Sequence, residues 1–224
     1  MHDWKNTPEE AVKVQKSLTK KISFQKLPEK ISTIAGFDVS YHYKSNTMIA
    51  GVVIIEYPSL KEIEKIFNTR KIDFPYIPGL LSFREAPVVM DLISKYSLNA
   101  DVNIFDGHGI AHPRGMGLAS HIGVLMDITS LGCAKKKLCG EYEEPEMKKG
   151  SCTDLYYKNK NIGKVLRTKD NVKPVFISVG NRLNIEELPS FIFSCTTRYR
   201  IPEPTRLAHL AVTNYKNESF INYY

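Results

Sequence analysis

Residues 101–128 constrain the fold more than any other stretch. Asp101-Val-Asn-Ile-Phe-Asp106 reads as a strand, because Val102, Ile104 and Phe105 are strand formers. The strand stops at Asp106, and Gly107 and Gly109 follow at once. From Gly117 the apolar residues change to helical spacing, with Leu118, Ile122, Leu125 and Met126 on one face. Strand, glycine-rich bend and helix in succession belong to an α/β fold. A carboxylate at the end of a buried strand is costly unless a positive group meets it. The glycines let the backbone bend and let a ligand come close. His108, His112 and Arg114 return to the same neighbourhood. By spacing alone these residues also read as a solvated turn, since Asp-Gly is common in turns. Gly109 and Pro113 work against a helical zinc motif on His108 and His112. Carboxylates elsewhere in the chain have to decide.

The chain offers two. Residues 31–41 and 47–57 read as strands joined by a hairpin turn at Tyr43–Asn46, and 60–72 as a third antiparallel strand. Lys61–Lys65 also admits a helix. Asp38 interrupts the first strand between Phe37 and Val39 and so points to the opposite face. Asp is a poor strand residue and needs a partner if buried; otherwise it faces water. Ser82 opens a helix whose stripe is Val88, Val89, Leu92, Ile93 and Tyr96. Glu85 lies in its first turns, where a carboxylate is favoured, and also fits the third position of a capping box on Ser82. Between these elements Asp73–Gly79 carries Pro75 and Pro78, which exclude regular structure and hold Tyr76 and Ile77 on a stiff loop. Such a loop serves as a hydrophobic lid or as a wedge entering a base step.

The remaining elements are more ordinary. Thr7-Pro8-Glu9-Glu10 starts a helix with a capping box, running to about Lys21 on the outside of the domain. Lys16, Lys20, Lys21 and Lys26 read as a solvated face. Thr129–Ala134 is a short strand, and residues 141–150 a surface loop. Leu155–Tyr157 and Lys164–Arg167 form a hairpin around a turn at 158–163. Lys173–Val179 is a strand ended by Gly180. Asn184 caps a helix with Glu187 in the capping-box position. The last helix begins at Pro202–Arg206 and aligns Arg206, His209 and Thr213 on one stripe; the tail from Lys216 is expected to fray.

At 224 residues the chain is read as one domain, with a helical extension over 1–30 and a tail over 216–224. Its apolar runs are far short of the roughly 18 residues of a membrane span. The N-terminal residues lack a signal-peptide apolar region, so a cytoplasmic monomer is expected. The 31 basic against 24 acidic side chains, net +7, suit a polyanion such as nucleic acid, although a solubility surface has the same balance. Cys133, Cys139, Cys152 and Cys195 make no zinc-ligand spacing and read as buried thiols.

If the crossover helix at 84–97 brings strand 101–106 back parallel to the first strand, Asp38 and Asp106 lie on neighbouring strands. Glu85 sits on the crossover, and His209 joins from the last helix. Clustered carboxylates repel unless a cation binds, and hard oxygen ligands suit Mg²⁺ or Mn²⁺. Phosphate-ester cleavage needs acceleration on the order of 10¹⁷-fold or more. A lone general base supplies only ~10²–10⁴. Metal ions can activate water, stabilise the leaving oxygen and align the phosphate.

The sequence resembles the endonuclease V family of deoxyinosine 3′ endonucleases. The resemblance rests on Gly-Phe-Asp-Val-Ser-Tyr at 36–41, Pro-Tyr-Ile-Pro-Gly-Leu-Leu-Ser-Phe-Arg-Glu at 75–85 and Asp-Gly-His-Gly-Ile-Ala-His-Pro-Arg at 106–114. Gly-Leu-Ala-Ser-His at 117–121, Gly-Cys-Ala-Lys at 132–135 and Pro-Glu-Pro-Thr-Arg-Leu-Ala-His at 202–209 extend it over nearly the whole chain. The resemblance implies an RNase H-like α/β fold: a mixed central sheet, antiparallel meander plus parallel strands, flanked by helices. It implies Asp38, Glu85 and Asp106 as metal carboxylates and His209 as a further active-site residue, with Mg²⁺ as cofactor and Mn²⁺ as substitute. His112 and Lys135 match positions near the scissile phosphate. Tyr76 matches the wedge, and the flipped hypoxanthine would sit near Leu81 and Gly109. With Ile77, Pro78, Arg84 and Arg114 these make up the expected substrate-contacting set. Gly115 departs from the family, many members of which carry a second Arg there.

The implied reaction is metal-dependent hydrolysis of the second phosphodiester bond 3′ to inosine in DNA, and in some members RNA, as DNA repair. Hypoxanthine is guanine without its exocyclic amine, so a snug pocket can exclude the amine, and a poorly paired base flips cheaply. Two rivals stand beside it. One is a non-catalytic module binding inosine strands, which has no use for clustered carboxylates. The other is an RNase H-like nuclease directed by structure, which has no use for the Pro75–Pro78 wedge.

Overall fold

The computed structural model describes Trp4 and residues 7–220. β1 (Thr33–His42) and β2 (Thr47–Glu56) pair antiparallel, and β3 (Glu62–Lys71) completes a meander. Lys61–Lys65 thus runs into a strand, not a helix. β3 is the sheet edge, where charged side chains protect unpaired backbone groups. α2 (Leu81–Lys95) crosses to β4 (Val102–Phe105), which lies parallel to β1 as the chain order requires. α3 (Leu118–Met126) crosses to β5 (Ser130–Ala134), parallel to β4. β6 (Cys152–Tyr157), β7 (Lys160–Leu166) and β8 (Val175–Asn181) form a second antiparallel set that joins at β5. The result is one eight-stranded mixed sheet in the order β3-β2-β1-β4-β5-β8-β7-β6.

Strand alternation sends the two faces to different helices. Phe37, Phe105, Val52 and Ala50 pack under α2 and α3 with Val89, Leu92 and Ile122. Ile34, Val53, Ile104 and Val179 pack on the other side with α4 (Leu188–Ser194) and α5 (Glu203–Ser219), through Ile192 and Ala208. α1 (Pro8–Leu18) is capped as its sequence indicates: Thr7 and Glu10 close a capping box.

Several local expectations give way. The 155–167 hairpin turns on two residues, Lys158 and Asn159, both left-handed (φ 51° and 59°), and β7 already starts at Lys160. A two-residue turn of this kind matches the twist of the strands, whereas a loop over 158–163 would leave backbone groups unpaired. Ser82 does not cap α2, which begins at Leu81; its hydroxyl bonds Nδ1 of buried His121 at 2.9 Å. That removes the capping-box role of Glu85. Asn184 caps a short 3₁₀ turn through the Glu186 amide, and Glu187 accepts from the Leu27 amide instead of closing a box. β8 continues through Gly180 to Asn181. α5 continues past Lys216, whose ammonium bonds the Tyr41 carbonyl at 2.8 Å; residues 221–224 of the expected frayed tail lie outside the described residues. Of the four free thiols, Cys133 and Cys195 are buried, Cys139 is half-buried and Cys152 exposed. No helix among the described residues is long and apolar enough to cross a membrane.

Candidate active site

Register builds the centre of the site. β1 and β4 pair with Phe37 opposite Phe105, and the two rings stack at 4.7 Å on the α2 side. The next residue of each strand, Asp38 and Asp106, must therefore emerge side by side on the other face. The Asp106 amide donates to the Phe37 carbonyl at 3.0 Å and holds the alignment one step beyond the ladder.

α5 closes over this face because β1 and β2 carry glycine beneath it. A Cβ at Gly36 would lie 2.1 Å from the carbonyl carbon of Pro204, and one at Gly51 would lie 2.4 Å from Val212 Cγ2. An isolated glycine inside a strand is the sequence signal for such close approach. Neither glycine stands out as functional by residue type, yet the close fit of α5 at Gly36 brings His209 Nδ1 to 2.9 Å from Asp38 Oδ2. Lys135, just past the end of β5, places Nζ 2.5 Å from Asp106 Oδ2. Its own carbonyl accepts from Arg200 Nη2 at 2.7 Å, so Arg200 positions the lysine segment. Arg200 has no motif around it and was legible only in three dimensions.

Asp38, Asp106 and His209 form a group whose ligand atoms all lie within 4.8 Å of one another, close enough to share one metal ion. Glu85 is not in that group. It lies near enough for their charges to reach it: burial first, then Asp38 and Asp106, push its carboxyl up to about 8. Burial and the neighbouring Asp106 also raise Asp38, against the His209 hydrogen bond, which lowers it. Carboxylates driven towards protonation by one another are what a divalent cation relieves, and the oxygen and imidazole donors suit one.

Beside the carboxylates lies a largely apolar cavity of about 180 Å³. Its walls come from Tyr76–Gly79, Leu81, Ser82 and Glu85, from Asp106–His108, His112 and Met116–Leu118, and from Leu138. An apolar cavity of roughly 150 Å³ takes a benzene ring, so this one has room for a flat base. Tyr76 is 67% exposed on its stiff loop. Ile77, Pro78 and Leu81 line the cavity; Gly109 does not. The Gly109 amide donates to Ser178 Oγ, its carbonyl accepts from Gly117, and a Cβ there would meet the Val179 carbonyl at 2.0 Å. Its backbone is spent on packing, and Gly107 takes its place in the wall.

Three further expected residues have partners within the chain. Arg84 stacks on the Tyr41 ring at 4.6 Å. His112 is buried, accepts from the Arg114 amide at Nδ1 and therefore donates from Nε2 to the Gly79 carbonyl at 3.0 Å. Burial, with the Arg114 charge, pushes it down to about 4, so it is a neutral imidazole. The Arg114 guanidinium bonds the same carbonyl and Gln15 Oε1, each at 2.5 Å. In this arrangement His112 and Arg114 hold the loop that carries Tyr76.

A mixed sheet flanked by helices, with Asp38 inside one strand and Asp106 just past the end of the parallel strand beside it, is an RNase H-like α/β architecture. The family model for endonuclease V matches residues 16–210, and the chain belongs to the endonuclease V family. Endonuclease V of Thermosipho melanesiensis is 46% identical over 209 residues, spanning 93% of this chain and 91% of that protein. The solved endonuclease V of Streptomyces avermitilis has a TM-score of 0.91 at 34% identity, covering 96% of each chain. That of Ciona intestinalis, crystallised with a 24mer DNA containing an inosine followed by a ribo-adenosine, has a TM-score of 0.81 at 26% identity, covering 94% of this chain and 98% of that one.

Proposed function

We propose that this chain is a metal-dependent endonuclease that recognises inosine in DNA, and in RNA, and hydrolyses the second phosphodiester bond on its 3′ side. The products carry 3′-hydroxyl and 5′-phosphate ends, and the reaction serves DNA repair. The observation that carries this reading is the cavity, large enough for one base, whose lining includes Asp106, Glu85 and the exposed Tyr76. The inosine-containing DNA of the Ciona relative supports the substrate class.

Asp38, Asp106 and His209 would hold Mg²⁺, or Mn²⁺ in its place, with Glu85 behind them. When bound, the ion lowers the pKa of water and offsets charge on the leaving oxygen. The chain's own residues do the rest. Tyr76 fills the gap left by the displaced base, and the two walls enclose hypoxanthine closely enough to reject a purine with an exocyclic amine. Lys135 sets a cation beside Asp106, where a phosphate arrives. His209 fixes the orientation of the Asp38 carboxylate. The proposed roles need no second copy of the chain, and action as a monomer is part of the proposal.

The test is strand cleavage of matched DNA and RNA oligonucleotides bearing one inosine, with Mg²⁺ or with EDTA. A Mg²⁺-dependent cut one nucleotide beyond the inosine, absent from guanine controls, is the expected result. Binding of the inosine strand without cutting would replace the enzyme by a binding module. Cutting that ignores the inosine would replace lesion recognition by recognition of strand structure.

A further inference from the structure

The N-terminal helix α1 carries one fully buried polar side chain, Gln15, 0% exposed. Burying an amide is costly unless its groups are bonded, and here they are. Nε2 donates to the Gly79 carbonyl at 3.0 Å and to the Met116 carbonyl at 3.1 Å. Oε1 accepts from Arg114 Nε at 2.5 Å. Gly79 and Met116 are not neighbours in the chain. Gly79 ends the Pro75–Pro78 loop, with φ +78°, and Met116 ends the loop that runs from Asp106 to α3. Both loops contribute walls of the cavity. One amide therefore ties both walls to a third element.

The Gly79 carbonyl shows how strongly this point is held. It accepts from Gln15 Nε2, His112 Nε2 and Arg114 Nη2, three donors on one oxygen. A carbonyl has two lone pairs, so one donor is surplus to its ordinary need. His112 and Arg114 belong to the second wall already. Among the described residues Gln15 is the side chain that hydrogen-bonds both walls from outside them, and it lies one residue before the stretch matched by the family model.

We infer that Gln15 is a positioning residue that sets the width of the base cavity by stapling the Tyr76 loop to the 106–117 loop. This makes α1 part of the recognition machinery rather than an outer support. The inference rests on the proposed inosine reading for what enters the cavity, but not for the staple itself.

Two variants and two measurements separate these. Gln15→Met keeps the length and helix preference of the side chain and removes all three bonds. Gln15→Glu keeps the acceptor for Arg114 and removes the donor to Gly79 and Met116. With thermal unfolding recorded to establish that both variants fold, amide hydrogen exchange is followed at 76–80 and 112–117 in the protein alone. The staple predicts faster exchange in both loops together, in both variants. Steady-state cutting of the inosine strand should then show KM raised about tenfold, the scale of two net hydrogen bonds, with kcat changed less than KM. Unchanged exchange in folded Gln15→Met overturns the staple. Faster exchange in only one loop, or in Gln15→Met but not Gln15→Glu, also overturns it, because it removes the bridging donor from the account. If the wild type fails to cut inosine strands, the substrate reading falls while the exchange result still decides the staple.

Discussion

Replacing Gly36 by alanine tests how α5 completes the site. The new Cβ would stand 2.1 Å from the Pro204 carbonyl carbon and 2.2 Å from its oxygen. Non-bonded carbon contacts settle near ~3.5–4.0 Å, so the helix would have to lift by more than about 1 Å. Both sides of the clash are backbone, and neither can rotate away. Overpacking of this kind costs about 1–3 kcal/mol. For a chain of this size ~2 kcal/mol lowers Tm by about 6 °C. The same lift carries His209 on α5 away from Asp38, and a 2.9 Å hydrogen bond does not survive it. A misplacement of about 1 Å can cost ~10² in rate. Gly51→Ala is the comparison, since its Cβ would meet side-chain atoms of Val212 at 2.4 Å and Phe67 at 3.1 Å rather than backbone. Thermal unfolding and single-turnover cutting of an inosine strand should rank the variants wild type, Gly51→Ala, Gly36→Ala. Wild-type stability and rate in Gly36→Ala, or equal losses in both variants, would refute the reasoning.

Two other outcomes follow from groups around the cavity. His112 titrates near 4 in the fold against an ordinary 6.5. As pH falls through 6.5 the unfolded chain gains a proton that the folded one refuses until about 4, so stability drops across that window, by roughly 2–3 kcal/mol at pH 4.5. Urea unfolding at pH 7 and pH 4.5 should show a smaller drop for His112→Gln than for wild type; equal drops would mean that His112 is not held neutral. Tyr76→Ala removes a side chain that is 67% exposed, so stability should stay within about 0.5 kcal/mol. Preference for inosine over guanine strands should fall, and a variant that keeps the full preference would end the wedge assignment.

Much of the fold can be read along the chain. The meander, the crossover helices and the parallel return of 101–106 follow from periodicity and length, and all three are present. Asp38 was legible because an Asp inside a strand contradicts its neighbours, and Asp106 because two glycines follow it. The 158–159 turn was missed because Lys-Asn carries no glycine to announce left-handed backbone. Arg114, which the resemblance sets among the substrate-contacting residues, also bonds Gln15 through Nε and the Gly79 carbonyl through Nη2, and no local spacing announces those partners.

The sequence by itself determined what each element presents and on which side, because side-chain direction repeats every two residues in a strand and every 3.6 in a helix. It therefore placed Asp38 and Asp106 on their strands and Tyr76 on a stiff loop. Only the tertiary structure decided how close the elements come. The Phe37–Phe105 register set the two aspartates side by side, and the glycine beneath Pro204 let α5 bring His209 to Asp38. Packing left Glu85 outside the tight ligand group and bonded Gln15, 64 residues from Gly79 in sequence, to a residue that lines the cavity. Local spacing encodes direction within an element, whereas distance between elements is set by which side chains are absent at the contact and which buried polar groups must find partners there.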